Sequence, residues 1–137
     1  MESSKEKNMK ILVAYDKNTS TSRVMEAALT QAKAHNAYVY LVRTCAPDTK
    51  STEIADLEER LNDLRRDVFK AQGIESEAHI LIRGLTPGED IVQYAREKGA
   101  DEIIIGLKKR SKIGKLVFGS TAQYIILEAE CPVISVK

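Results

Sequence analysis

Short runs of apolar and β-branched residues alternate along this chain with longer segments of helical periodicity, and this alternation restricts the fold more than any other feature. The strand-like runs cover residues 11–15, 38–43, 78–83, 102–105 and 133–136. Because strands joined through helices form right-handed crossovers that lay those helices over a parallel sheet, the pattern predicts one α/β domain. We expect an open, mostly parallel five-stranded sheet with helices on both faces and with the last strand at an edge.

Local signals predict where the helices begin and end. Asn36, Gly73 and Gly99 are placed to end the first three helices. The sequence Thr86-Pro87-Gly88-Glu89 combines an N-cap residue, a proline at the first helical position and the glutamate of a capping box. The fourth helix is expected over residues 121–130. Its predicted apolar side consists of Ala122, Ile125, Ile126 and Ala129.

The overall composition excludes several classes of protein. We expect residues 9–137 to form one domain after a flexible N-terminal segment, residues 1–8. With 43% hydrophobic residues the chain is not a disordered protein, and a net charge of only +1 argues against a dedicated nucleic-acid-binding protein. No apolar run has the length of a membrane span, and residues 1–8 lack the apolar segment of a signal peptide, so we expect a cytoplasmic protein without a membrane partner.

Side chains suited to catalysis or metal binding are present but are not arranged for it. Cys45 and Cys131 are too few for a disulfide framework, and neither they nor His35 and His79 have partners at metal-ligand spacing. No Ser-His-Asp or Cys-His arrangement is evident. We therefore expect no metal site formed by the protein alone and no efficient catalysis.

The stretch from Asp101 to Thr121 carries the strongest signal for ligand binding. A strand ends at Gly106, a basic loop follows, and Gly119-Ser120-Thr121 opens a helix. Glycine lets the backbone approach a ligand closely, and the first turn of a helix leaves amide groups without partners, so this order predicts an anion site. The basic residues of the loop are Lys108, Lys109, Arg110, Lys112 and Lys115. Two plainer interpretations stay open: Ser120 and Thr121 could serve only as helix caps, and the basic cluster could be only a solvated loop.

Four motifs occur in a characteristic order: KILVAYD at 10–16, GLTP at 84–87, ADEIIIG at 100–106, and FGSTA at 118–122 followed by CPV at 131–133. Together they resemble the universal stress protein family over about residues 9–137. The resemblance implies a Rossmann-like fold of the adenine nucleotide alpha hydrolase type. It also implies that ATP or another adenine nucleotide binds at the carboxyl ends of strands 1 and 4, with Mg²⁺ as an accompanying ion.

The family resemblance assigns roles to individual residues. The nucleotide-binding signature reads Gly, two residues, Gly, nine residues, then Gly and Ser or Thr, and Gly106, Gly119 and Ser120 match it. The resemblance implies that Asp16 lies at the ribose or adenine and that the backbone near Ala14, Tyr15 and Thr44 frames the base. It implies that the glycine loop and Ser120 hold the phosphates. The complete predicted nucleotide-binding set is Ala14, Tyr15, Asp16, Thr44, Ile105, Gly106, Lys109, Arg110, Gly119, Ser120 and Thr121.

Lys109 stands where the signature has its middle glycine. If that position requires a left-handed backbone, a side chain there costs about 1–2 kcal/mol. Two outcomes follow: Lys109 places its ammonium on a phosphate, or it fills the pocket and abolishes binding.

The first functional hypothesis is therefore a regulatory nucleotide-binding protein that switches contacts with an unidentified protein partner. The alternatives are a nucleotide-free dimeric interaction module and a slow ATPase. Since an apolar strand at a sheet edge invites pairing, we also expect a homodimer through the last strand.

Overall fold

The computed structural model describes residues 9–16, 21–107 and 119–137. Within these ranges five strands alternate with four α-helices, as predicted. In chain order the elements are β1 (Met9–Ala14), α1 (Thr21–His35), β2 (Ala37–Thr44), α2 (Ser51–Val68), a 3₁₀ turn (Lys70–Gln72), β3 (Ser76–Leu81), α3 (Pro87–Lys98), β4 (Glu102–Gly106), α4 (Ser120–Glu128) and β5 (Val133–Val136). None of the helices in these ranges is both long enough and apolar enough to span a membrane.

The five strands form one sheet in the order β3-β2-β1-β4-β5, and every neighbouring pair is parallel. The predicted α/β fold is confirmed, and β5 lies at an edge. Ala14, the last residue of β1, is level with Val42 of β2 on one side and Ile105 of β4 on the other. The chain builds the sheet outward from β1 in one direction and then crosses to β4 on the other side. The strand order therefore reverses between β1 and β4, which is where sheets of this kind leave a crevice.

Each face of the sheet has its own core. Because successive side chains of a strand point to opposite faces, Leu12 belongs to one core while Ile11 and Val13 belong to the other, and all three are fully buried. The core containing Leu12 includes buried residues of α3 and α4. The opposite core includes buried residues of α1 and α2.

Several predicted helix ends are confirmed. Asn36 directly follows α1 and has a positive φ of 50°, and Gly99 caps α3 with a φ of 67°. The capping box at the start of α3 is also present. The Thr86 hydroxyl accepts from the amide of Glu89 at 3.4 Å, and the Glu89 carboxylate accepts from the amide of Thr86 at 3.2 Å.

The predicted role of Gly73 at the end of α2 is wrong. α2 ends at Val68, and the fully buried Phe69 follows it. The carbonyl of Phe69 accepts from the amides of Gln72 and Ile74 at 3.0 and 2.9 Å, which tightens the chain into the 3₁₀ turn. Gly73, with a φ of 76°, ends that turn instead.

The third strand was predicted two residues too late. β3 spans Ser76–Leu81 because it pairs with β2 from Val39↔Ser76 to Thr44↔Leu81. Beyond Thr44 the strand β2 has ended, so Ile82 and Arg83 have no ladder to join despite their β-like composition.

The fourth helix is shorter than predicted and its apolar side is narrower. α4 begins at Ser120 and ends at Glu128. Ala122 and Ile125 are buried, whereas Ile126 is 40% exposed because it lies one residue, or about 100°, around the helix from Ile125. The predicted flexible segment 1–8 and the basic loop from Lys108 onward lie outside the described residues.

Candidate functional site

A cavity of about 250 Å³ lies at the carboxyl ends of the strands, where the strand order reverses. Its floor includes Ala14 of β1 and Ile105 and Gly106 of β4. Each of these residues ends its strand or lies next to the end, so the sheet pairing itself sets the floor. Nothing beyond the sheet is required to bring the two strand ends together.

The two sides of the cavity differ in chemistry. Apolar side chains from the two helices on one face form one side, and these are Pro87, Ile91, Ala122 and Ile125. Groups that can accept or donate hydrogen bonds line the remainder, and these include Asp16, Arg43, Thr44 and Thr121. Such a cavity suits a flat apolar group joined to a polar, charged one.

The α3 side of the cavity is held by a network around Arg83. Its Nε donates to Oδ1 of Asp90 at 2.6 Å, its Nη2 to the carbonyl of Asp90 at 3.2 Å, and its Nη1 to Glu97 at 2.8 Å. The Asp90 side chain is only 3% exposed. Burial by itself would lower the pKa of Arg83, but the hydrogen bonds to Glu97 and Asp90 outweigh it and raise the pKa. The network therefore fixes the first turns of α3, where Pro87 and Ile91 face the cavity.

Close packing also ties α3 to α4 beside the cavity. A Cβ atom added at Gly88 would lie 2.9 Å from Cβ of Tyr124. Gly88 is buried in the first turn of α3. The absence of a side chain there lets the two helices approach next to Pro87.

The start of α4 is built differently from that of α3. Gly119 is its N-cap, with extended backbone and no side-chain capping bond. The first helical bond runs from the amide of Gln123 to the carbonyl of Gly119 at 3.0 Å. The amides before Gln123 belong to the turn that a helix leaves without helical acceptors. The interpretation that Ser120 and Thr121 serve only as caps is wrong, because both lie inside the helix rather than at its N-cap.

Tyr15 and Arg43 line the cavity at the ends of β1 and β2. The amide of Tyr15 donates to the carbonyl of Val42 at 2.8 Å, so the two strands stay joined one residue beyond β1. The guanidinium carbon of Arg43 lies 5.8 Å from the centre of the Tyr15 ring, within the range of a cation–π contact. Just beyond, burial raises the pKa of the Cys45 thiol, although Arg43 opposes this effect, so that thiol is not activated as a nucleophile.

The structure brings together most of the residues that the sequence indicated. Eight of them line this one cavity: Ala14, Tyr15, Asp16, Thr44, Ile105, Gly106, Gly119 and Thr121. Ser120 is at the first position of α4 and exposed, and it is not among the lining residues. Lys109 and Arg110 lie outside the described residues. What the lining residues bind stays a prediction at this point.

Among the described residues, five that line the cavity were not predicted: Arg43, Pro87, Ile91, Ala122 and Ile125. The last four were identified only as a helix start or as inward-facing positions, since periodicity shows that a side chain is buried but not what it faces. Arg43 carried one usable signal, because it precedes Thr44 at the carboxyl end of a predicted strand.

The family model described as the universal stress protein family matches residues 7–137. A universal stress protein from Thermus aquaticus, from the 3' region of a QAH/OAS sulfhydrylase gene, is 31% identical over 134 residues. That alignment covers 93% of this chain and 97% of the relative.

Solved structures give the same result. A universal stress protein from Archaeoglobus fulgidus is 39% identical, with a TM-score of 0.82, over 94% of this chain and 98% of that one. Another structure from Archaeoglobus fulgidus, a universal stress protein in complex with dAMP, is 34% identical with a TM-score of 0.76 and the same coverage. The resemblance drawn from the four motifs is confirmed.

Proposed function

The chain belongs to the universal stress protein family, and on that premise we propose that it binds an adenine nucleotide in the cavity at the carboxyl ends of β1 and β4. The observation that carries the proposal is the composition of that cavity. An apolar side formed by α3 and α4 faces polar groups at the ends of β1 and β2 and the start of α4, where the N-cap is a glycine. The dAMP bound by the similar protein from Archaeoglobus fulgidus supports this ligand class.

The parts of a nucleotide match the parts of the cavity. The base is the flat apolar portion and fits against Pro87, Ile91 and Ala122. Asp16 is a hydrogen-bond acceptor for ribose hydroxyls, and the amides at the start of α4 suit an anion. The role is regulatory rather than efficiently catalytic. ATP as the particular nucleotide, Mg²⁺ as its companion, a protein partner and a cytoplasmic location remain predictions.

Calorimetric titration of the purified protein with AMP, dAMP and ATP tests the proposal. We expect Asp16→Ala to weaken binding about tenfold or more, the amount typical of losing a hydrogen bond to a charged group. Asp56→Ala, an exposed carboxylate of α2, is the matched control and leaves binding unchanged. Native mass spectrometry of freshly purified protein reports any co-purified nucleotide. The proposal is wrong if no adenine nucleotide binds at millimolar concentration and none co-purifies.

We also propose that the protein forms a homodimer through the β5 edge. Val133, Ile134 and Val136 of this edge strand are half-buried, and on the preceding helix Ile126 and Leu127 are 40% and 69% exposed. An apolar edge of this kind is a template for pairing with a second copy.

Light scattering after size-exclusion chromatography tests the dimer. The double variant Leu127→Lys and Ser135→Lys adds charge at exposed positions and should give a monomer. Leu85→Lys, also at an exposed apolar residue but in the loop before α3, should leave the dimer intact. A wild-type protein that elutes as a monomer at all concentrations contradicts the proposal.

A further inference from the structure

We propose that a second cavity, between the carboxyl ends of α3 and α4, binds a small apolar molecule that carries an amine group. This cavity has a volume of about 180 Å³ and lies beside the amino ends of β4 and β5, at the opposite end of the sheet from the nucleotide cavity. Among the described residues, the two cavities have no lining residue in common. The proposal therefore stands independently of nucleotide binding.

Small residues on the two facing helices leave this space open. Ala95 and Gly99 lie four residues apart on one side of α3, and Ala129 directly follows the last turn of α4. A Cβ atom added at Gly99 would meet no heavy atom of the described residues within 4 Å beyond its chain neighbours. At the other ends of the same helices the corresponding space is filled, since Gly88 packs against the side chain of Tyr124.

The floor of the cavity is apolar and buried. Ile103 of β4 is fully buried, and Val92 and Ala95 of α3 are each 6% exposed. Cys131, half-buried against the same core, adds a thiol to the wall. An apolar cavity of about 150 Å³ is large enough to bind benzene, so this one has room for a six-membered ring. The floor therefore suits an apolar body of that size.

The electrostatic surroundings decide which polar group the ligand carries. Both helices end here, and the last carbonyl groups of a helix carry partial negative charge. The carboxylates of Asp101, Glu102 and Glu130 add to it: after burial, which is the largest cause, they raise the pKa of the Cys131 thiol. A negative potential favours a cation or an N–H donor over an anion.

An exposed ion pair lines the side of the cavity that meets solvent. The Nε and Nη2 atoms of Arg96 each lie 3.1 Å from Oε2 of Glu130. These side chains are 55% and 68% exposed, so their pairing contributes little to stability and is displaced at little cost. Among the described residues, Arg96 is the only cation paired with this carboxylate, and it uses one oxygen. The other oxygen of Glu130 is therefore available to the amine of a ligand whose body lies on the floor.

Titrations followed by two-dimensional NMR test the proposal with benzylamine, benzyl alcohol and benzoate. At neutral pH these probes present a cation, a neutral hydroxyl and an anion on the same ring. We expect benzylamine to bind at millimolar concentration, about fivefold more tightly than benzoate, with amide shifts centred on Val92 and Cys131. Glu130→Gln should weaken benzylamine about two- to threefold and leave benzyl alcohol unchanged. Glu59→Gln, which removes an exposed carboxylate of α2, is the control and should change neither probe.

Two further measurements locate the bound probe. Ala129→Leu fills the cavity and should abolish binding of all three probes, and its thermal midpoint shows whether it is folded. In wild-type protein, benzylamine should slow the alkylation of Cys131 by iodoacetamide. Cys45 is also half-buried but lines neither cavity, so its alkylation rate should stay constant and serve as the internal reference. If Ala129→Leu does not fold, these two rates decide the location.

Three results would overturn the proposal. The first is that millimolar benzylamine neither shifts these amides nor protects Cys131. The second is that a folded Ala129→Leu variant binds benzylamine as wild type does. The third is that benzoate binds as tightly as benzylamine. None of these results bears on the nucleotide site, and a protein that binds no adenine nucleotide still leaves the amine site to be judged by its own titration.

Discussion

The two helices that begin beside the cavity, α3 and α4, start in opposite ways. At α3 the first turn satisfies itself: Thr86 and Glu89 cap each other's amides, and Arg83 binds the buried Asp90. At α4 the N-cap is Gly119, and among the described residues no side-chain capping bond is found there. Both starts contribute residues to the same cavity.

The difference indicates a division of labour. A helix start whose amides are already bonded offers a ligand only its surface, so α3 acts as a rigid apolar wall. A helix start without a side-chain cap keeps its amides for an acceptor from outside, so α4 is suited to an anion. Five variants can break this contrast or sharpen it.

The largest effect should follow from removing Arg83. Arg83→Met leaves the carboxylate of Asp90 buried without its cation, and we expect a loss of about 2–3 kcal/mol in unfolding free energy, below the full cost of breaking a buried pair because Arg83 is partly exposed. Urea denaturation measures it. Arg66→Met, which removes an exposed pair with Asp63, should cost under about 0.5 kcal/mol. Equal losses in the two variants would show that α3 does not depend on this network.

Filling the gap between the two helices should have the next largest effect. Gly88→Ala brings a Cβ atom to 2.9 Å from Cβ of Tyr124, and overpacking of this kind costs about 1–2 kcal/mol. A double-mutant cycle with Tyr124→Ala separates the clash from the helix propensity of alanine. If the clash with Tyr124 causes the loss, Gly88→Ala should lower the unfolding free energy by less in the Tyr124→Ala background. Purely additive losses would argue against close helix contact at this point.

Removing the cap of α3 should cost about 1 kcal/mol. Thr86→Ala removes the hydroxyl that accepts from the amide of Glu89, and this magnitude is typical of an N-cap substitution. Thr52→Ala, an exposed threonine inside α2, is the control and should be nearly neutral. Thermal unfolding of both variants checks the prediction, which fails if the two midpoints shift alike.

Adding a cap to α4 should raise the stability slightly and weaken nucleotide binding. Gly119→Asn offers the first turn its own acceptor, so the unfolding free energy of the ligand-free protein should rise by a few tenths, roughly 0.3 kcal/mol. The same side chain competes with a phosphate, so affinity for AMP should fall. A variant that gains both stability and affinity would show that the start of α4 is not where the anion binds.

The smallest effect should be the pH dependence of the contribution that the Arg83–Glu97 contact makes to stability. The hydrogen bond from Arg83, assisted by Gln93, lowers the pKa of Glu97. A lowered folded-state pKa means that this stabilisation is present above the ordinary value of 4.5 and is lost as the pH falls through the lowered value. The difference in stability between wild type and Glu97→Gln should therefore shrink on acidification below that range. A constant difference down to acid unfolding would contradict the assignment.

Much of this architecture could be predicted from the sequence because its signals are local. Alternation of strand and helix patterns gives the parallel sheet, and the Thr86-to-Glu89 sequence gives the start of α3. The left-handed positions Asn36 and Gly99 follow from which residues tolerate positive φ. The errors arose where distant contacts decide. The limits of β3 are set by β2, and the end of α2 is set by the burial of Phe69.

The candidate site shows the same division. The spacing of the motifs indicated residues at β1, β4 and α4. The family resemblance then grouped these residues into one nucleotide site. Arg43 was missed because its contact with Tyr15 joins two strands that are far apart in the chain. The sequence also did not reveal the Arg83–Asp90 hydrogen bond or the close approach of Gly88 to Tyr124. Hydrophobic periodicity does not show whether a charged residue of a helix is paired and buried, or whether a glycine lies against another helix.

By itself, then, the amino-acid order determined the class of fold, the sequence of elements and the edge position of β5, because backbone preferences and hydrophobic periodicity act over neighbouring residues. Only the tertiary structure decided that Pro87 and Ile91 share a cavity with Asp16 and Thr121, and that a guanidinium stands in its wall without a described carboxylate partner. The physical reason is that burial, charge pairing and cavity shape depend on which elements meet in space. That meeting is fixed by packing across the sheet rather than by any local stretch of the chain.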